Sequence, residues 1–205
     1  MKNHRLPHLP LWAWCYLLAA ALWLVYSGAV LAFDTLCYAT GRLRPQTVTL
    51  NDTALYTLEQ LEYDGQSTLI STEGDPKLFL TPGQPVRTLR LVAQYSAEGQ
   101  EKDLYYHLPG RGYTAALRVW PTLTGPDEYS YTVPFYAGQN LRLDLCDRSG
   151  VAITVQAIVL NEPQPIASYF VPSLWQLLWL TALPGLAACG LQLAAEAVSV
   201  LRRKK

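Results

Sequence analysis

Leu141–Leu160 reads LRLDLCDRSGVAITVQAIVL. Its first half alternates strictly: Leu141, Leu143 and Leu145 fall on one side of an extended chain, Arg142 and Asp144 on the other. Asp147–Gly150 is a turn. The returning run, Val151–Leu160, is rich in β-branched residues and is expected to set Val151, Ile153, Val155, Ala157 and Val159 on one face. A pair of this kind, apolar inside and polar outside, belongs to an antiparallel sheet with one solvated face.

Working upstream, the same period recurs in short pieces. Thr47–Leu50, Ala54–Tyr63, Gln66–Ser71, Lys77–Leu80, Val86–Tyr95, Asp103–Leu108, Ala116–Trp120 and Tyr129–Tyr136 read as strands. Asn51-Asp52, Asp64-Gly65, Glu73–Pro76, Thr81–Pro85 and Pro109–Gly112 punctuate them, and Thr122–Glu128 reads as a polar loop. Pro134 cannot donate to a ladder, so Tyr129–Tyr136 is expected at an edge or a bulge. Nine or ten short strands with turn residues between them predict an antiparallel β-sandwich over 34–165.

Two apolar runs bracket this region. Leu11–Phe33 (LWAWCYLLAAALWLVYSGAVLAF) carries no charge, and as a helix it extends roughly 34 Å, enough for a hydrocarbon core of about 30 Å. The second run, Ser173–Ala195, lies within a helix expected over 169–198. A signal peptide cleaved after Ala32 is the rival reading of the first run, but the run is longer than the usual apolar core of a signal. Lys2 and Arg5 precede the first run; Arg202, Arg203, Lys204 and Lys205 follow the second. Basic flanks stay cytoplasmic. The expected order is a cytoplasmic lead (1–10), a span (11–33), an extracytoplasmic sandwich (34–165), a second span (169–198) and a cytoplasmic basic tail (199–205), in the plasma membrane. Trp12, Trp14, Tyr169, Trp175 and Trp179 suit the two interfaces, and Gly185, Ala188, Gly190 and Ala194 offer small positions against Ala19-Ala20-Ala21.

The net charge of zero hides an asymmetry: the middle region holds ten Lys or Arg against fifteen Asp or Glu. An acidic domain argues against nucleic acid as a partner. Cys15 and Cys189 fall in the spans. Cys37 and Cys146 lie in the exported region, where an oxidising compartment permits a bridge between them; two buried thiols are the alternative. His4 and His8 are in the lead and His107 stands alone, so no zinc site is expected. Asp75, Asp144 and Asp147, with Asp127 and Glu128, are calcium candidates, against the ordinary use of loop Asp to cap turns. There is no GxSxG and one exported His, so neither a catalytic site nor a cofactor is expected. The aromatics from Tyr105 to Tyr136 are the sharper signal. Trp120, Tyr129, Tyr131 and Tyr105 are candidates for stacking on a sugar ring, against the reading that alternate aromatics in strands are core.

Leu141–Asn161 (LRLDLCDRSGVAITVQAIVLN) resembles the closing strand pair of small exported, jelly-roll-like β-sandwich domains of bacterial envelope and surface-polysaccharide membrane proteins, and Gly74–Leu80 (GDPKLFL) is similar to another of their strands. The resemblance covers about 30 residues. It implies a carbohydrate-associated accessory domain with a glycan or an integral-membrane protein as partner. The chain departs from a full membrane transferase in having two spans and no acidic catalytic motif. A protein-interaction or signalling module without carbohydrate affinity is the alternative.

Overall fold

The computed structural model describes residues 9–98, 100–134 and 140–203. Two units divide the chain: 1–35 with 164–205, and 36–163.

The first unit is helical. Helix α1 is Leu11–Ala39 and helix α2 is Leu174–Arg203. Both are long and apolar enough to cross a membrane, and only 6% and 11% of their most apolar windows are buried. The uncharged run propagates past Asp34, which is itself buried, so α1 takes in the start of the expected exit linker. The two helices run antiparallel: the Tyr16 hydroxyl donates to Thr181 O at 2.8 Å, and the Tyr169 hydroxyl donates to Asp34 Oδ2 at 3.2 Å. A Cβ on Gly185 would stand 3.3 Å from the Tyr16 hydroxyl, so a glycine here admits the tyrosine. Pro184 lies inside α2. It donates no N–H and leaves the carbonyl ladder of that turn short of one bond. The Trp175 and Trp179 rings meet edge to face at 5.4 Å.

The second unit is all β. Its strands are β1 (Gln46–Val48), β2 (Tyr56–Glu59), β3 (Leu61–Tyr63), β4 (Thr68–Ser71), β5 (Lys77–Leu80), β6 (Thr88–Tyr95), β7 (Asp103–Tyr106), β8 (Arg118–Val119), β9 (Thr122–Gly125), β10 (Glu128–Thr132), β11 (Leu141–Asp144) and β12 (Ala152–Leu160). One sheet has the order β3-β4-β12-β6-β10-β9, with β1 also on β12; the other has β2-β5-β11-β7-β8. All pairings are antiparallel. Leu78, Leu80, Leu104, Leu141 and Leu143 of one sheet and Leu69, Leu89, Leu91, Ile153 and Ile158 of the other fill a single core.

The run Ala54–Tyr63 is two strands, not one. Gln60 sits at φ 57°, and the chain turns there from β2 in one sheet to β3 in the other. The Gln60 side chain fixes the corner by accepting from Asp75 N at 3.1 Å. Strand β12 also departs from strict alternation. Its register on β6 shifts between Val155 and Ala157, so Gln156 bulges. Ile153 and Val155 face inward before the bulge, Ile158 and Leu160 after it, and Ala157 and Val159 turn outward. A bulge adds one residue and reverses the phase. The stretch read as a polar loop contains β9, which covers the flank of β10 and makes β10 an interior strand. Strand β10 ends at Thr132, two residues before Pro134; Tyr136 lies outside the described residues. Asn161, expected in the exit linker, is wholly buried and closes β12: its Oδ1 accepts from Arg87 N at 2.7 Å and its Nδ2 donates to Pro85 O at 2.8 Å.

Candidate functional site

The outer face of the five-stranded sheet is laid out by register. Arg142 stands between Phe79 and Tyr105, and Tyr105 faces Arg118. One step along, Asp144 stands between Lys77 and Asp103.

Much of this surface is closed on itself. Arg142 binds Asp144 through Nε and Nη2, each at 2.8 Å. Its guanidinium lies 4.2 Å from the Tyr105 ring centre and 5.6 Å from that of Tyr113. Tyr113 in turn meets Phe79 at 5.6 Å and His107 at 5.4 Å. Tyr105, at 9% exposure, therefore has its ring taken up by a guanidinium and is not free to receive a sugar. Burial raises the Asp144 carboxyl above its ordinary range, with Arg142 pulling it back down.

Trp120 is different. Arg118 and Trp120 are two residues apart in extended chain and share a face. The Arg118 guanidinium lies over the indole, its Cζ 3.7 Å from the ring centre. Its Nη2 is 2.5 Å from Asp103 Oδ2, a carboxylate only 3% exposed. A buried acid thus holds a cation, and the cation holds one face of an aromatic ring. Trp120 remains 66% exposed, and Leu123, three residues on, 67%. Burial raises the Asp103 carboxyl, opposed by Arg118.

Tyr129 and Tyr131 do lie on one face of β10, but it is the inner face. Tyr131 is 0% exposed, with its hydroxyl donating to Lys102 O at 2.8 Å. Tyr129 meets Tyr95 edge to face at 6.2 Å, and Lys102 Nζ sits 4.4 Å and 5.0 Å from the Tyr95 and Tyr129 ring centres. These residues serve the core, because period two on a strand covered on one side sends every second aromatic inward. Burial lowers the Lys102 ammonium and raises the Tyr131 phenol.

The calcium candidates do not converge. Asp75 is 2.8 Å from Lys77, Asp144 is on Arg142, and Asp147 is exposed beside Arg148 at 3.7 Å. Asp127 sits in a turn at φ 58°, and Glu128 lies 3.0 Å from Thr124 and 4.0 Å from Arg90. Among the described residues no three His, Cys, Asp or Glu side chains form a metal-holding group. Cys37 and Cys146 are separate buried thiols rather than a bridge. The Cys146 Sγ is turned to Arg148 O at 3.3 Å.

Reading the sequence alone missed Arg118 and Asp103. The Arg118–Trp120 spacing was visible; the reach to Asp103 depends on β7–β8 register, which carries no local signal.

No protein-family model matches the chain, and no curated protein matches it. Among solved structures, a low-affinity xylan-binding module, CBM86, from the gut symbiont Roseburia intestinalis is similar over 62% of this chain and 98% of its own length, with a TM-score of 0.39 and 15% identity.

Proposed function

We propose that this chain is a membrane-anchored, non-catalytic accessory protein that presents an extracytoplasmic sandwich, through Trp120, to a glycan or to an envelope-polysaccharide assembly partner. The observation that carries the reading is the exposed indole whose ring is pinned from below. A mobile surface tryptophan loses rotamer freedom on binding; one already held by Arg118 and Asp103 loses less, and its open face suits the apolar face of a pyranose.

The anchoring rests on the helices. Twelve large apolar side chains on each of α1 and α2 are exposed. At about 1.5 kcal/mol or more each, leaving them in water costs tens of kcal/mol, several times the stability of a domain. Lipid removes that cost, and the apolar groove of 590 Å³ lined by Trp12, Tyr16, Trp23, Pro172 and Leu180 would then fill with acyl chain. The basic residues at both ends favour cytoplasmic termini. The strand order β4-β12-β6-β10 opposite β5-β11-β7-β8, with the chain crossing between sheets from β4 through β7 and again from β10 through β12, fits a jelly roll.

The test is affinity electrophoresis of the full-length chain in nanodiscs through gels containing neutral polysaccharides. Retardation by at least one polymer that Trp120→Ala abolishes and Trp120→Phe only weakens supports the proposal. Equal mobility of all three proteins in every gel refutes glycan stacking.

A protein-interaction module is favoured by one other feature. Strand β9 is a sheet edge with Thr122, Leu123 and Thr124 all exposed, and such an edge accepts an added strand. Co-purification of a stoichiometric multi-span protein that Leu123→Lys releases and Trp120→Ala does not would favour that reading.

A further inference from the structure

Asn51-Asp52-Thr53 is the chain's single Asn-x-Ser/Thr triplet with a middle residue other than proline. It lies in the connection from β1 to β2, built of two successive turns: Asp52 N donates to Thr49 O at 3.0 Å and Leu55 N to Asp52 O at 3.2 Å. Asn51, Asp52 and Thr53 are all exposed.

The Tyr63 hydroxyl, on a ring packed against the core, lies 2.8 Å from both Asn51 Oδ1 and Gln66 O, and its single proton is shared between them. Among the described residues no group binds Asn51 Nδ2, and the residue is exposed, so a substituent on Nδ2 meets solvent and leaves the core intact.

We propose that Asn51 is an acceptor site for N-linked glycosylation, its substrate a lipid-pyrophosphate-linked oligosaccharide. A bond forms between Nδ2 and sugar C1, the bond from C1 to the phosphate oxygen breaks, the lipid pyrophosphate leaves, and Nδ2 loses one proton. The Thr53 hydroxyl completes the triplet that the transferase reads. This inference rests on the proposed placement of the sandwich outside the cytoplasm, because such transfer takes place on the non-cytoplasmic side.

The test expresses the full-length chain with microsomes that carry an oligosaccharyltransferase and follows gel mobility before and after an endoglycosidase. One upward, endoglycosidase-sensitive step is expected for the unaltered chain, and none for Asn51→Gln or Thr53→Ala. A further variant separates the site from the topology. In Asn51→Gln/Asp147→Asn, the second change completes a triplet with Ser149 in the exposed turn at 147–150. If that variant shifts and the unaltered chain does not, the Asn51 site is overturned and the exported domain stands. If neither shifts, both fall together.

Discussion

Replacing Asp103 by Asn tests whether the buried acid holds the Trp120 surface. The Asp103 and Arg118 side chains are 3% and 24% exposed, and their closest atoms are 2.5 Å apart. Charge centres about 4 Å apart attract by about 4 kcal/mol at an effective dielectric near 20. Desolvation returns several kcal/mol of that. The raised Asp103 carboxyl, driven first by burial and opposed by Arg118, agrees that desolvation outweighs the attraction. A carboxyl that folding raises is already better off neutral, so the neutral, near-isosteric Asp103→Asn should change stability by less than about 1 kcal/mol at neutral pH. Removing the cation is a different matter, for it leaves the acid buried without its counter-charge. Arg118→Met should cost about 1–3 kcal/mol. The double variant Asp103→Asn/Arg118→Met, with neither charge left, should recover most of it. Urea denaturation of the full chain in micelles reads the stability. Acrylamide quenching, taken as a difference against Trp120→Phe because five other tryptophans lie in the helices, reads the indole. Quenching of Trp120 should rise in Asp103→Asn. Equal stability losses in Arg118→Met and the double variant, with unchanged quenching in Asp103→Asn, would refute the argument that Asp103 positions the ring. The pH dependence has a definite sign. A carboxyl raised on folding makes the folded state bind more protons, so its contribution falls as pH rises from the ordinary carboxylate range through the raised value. Asp103→Asn should remove that slope.

Other perturbations separate core from surface. Leu91→Ala should cost about 2–5 kcal/mol, whereas Leu123→Ala should stay within about 0.5 kcal/mol; comparable losses in urea midpoints would contradict the inner and outer faces assigned to them. Tyr16→Phe removes the bond to Thr181 O and should weaken the helical hairpin by roughly 0.6–1.7 kcal/mol, and Gly185→Leu should weaken it further by filling the tyrosine's seat; steric trapping in bicelles reads both. Asp64 Oδ1 accepts from the backbone of Gln66, Ser67 and Thr68, which lowers its carboxyl below the ordinary range. Its contribution is present above that range and lost as pH falls through the lowered value, so Asp64→Ala should speed amide exchange in β3 and β4 at neutral pH and abolish its acid-dependent increase. Deleting Gln156 should leave Ile158 and Leu160 inward, in plain alternation with Ile153 and Val155, so stability in urea should fall by no more than about 1 kcal/mol; a loss as large as that of Leu91→Ala would contradict the bulge assigned here.

The sandwich was readable wherever one side of a strand meets the core. Leu141–Leu145 alternates because Leu141 and Leu143 are wholly buried and Arg142 and Asp144 are not. Strand β9 escaped detection because its residues are exposed on both sides and leave no period to read. The break at Gln60 and the bulge at Gln156 escaped for another reason: each is a single backbone adjustment imposed by neighbours far along the chain, and glutamine announces neither. Of the four aromatic candidates, only Trp120 is presented. Period two told that Tyr129 and Tyr131 share a side but not which side faced the core. Asp103 looked like one acid among fifteen until register set it beside Arg118.

The position of β12 governs the timing of the protein's birth. It joins β1, β4 and β6, yet it is the last strand to leave the ribosome. At about 5–20 residues per second, roughly 6–23 seconds separate the emergence of Gln46 from that of Leu160. Throughout that interval β1 and β4 wait without a shared neighbour. The nascent domain is therefore a natural client for chaperones, and a stall in translation before Ala152 should leave it open to protease.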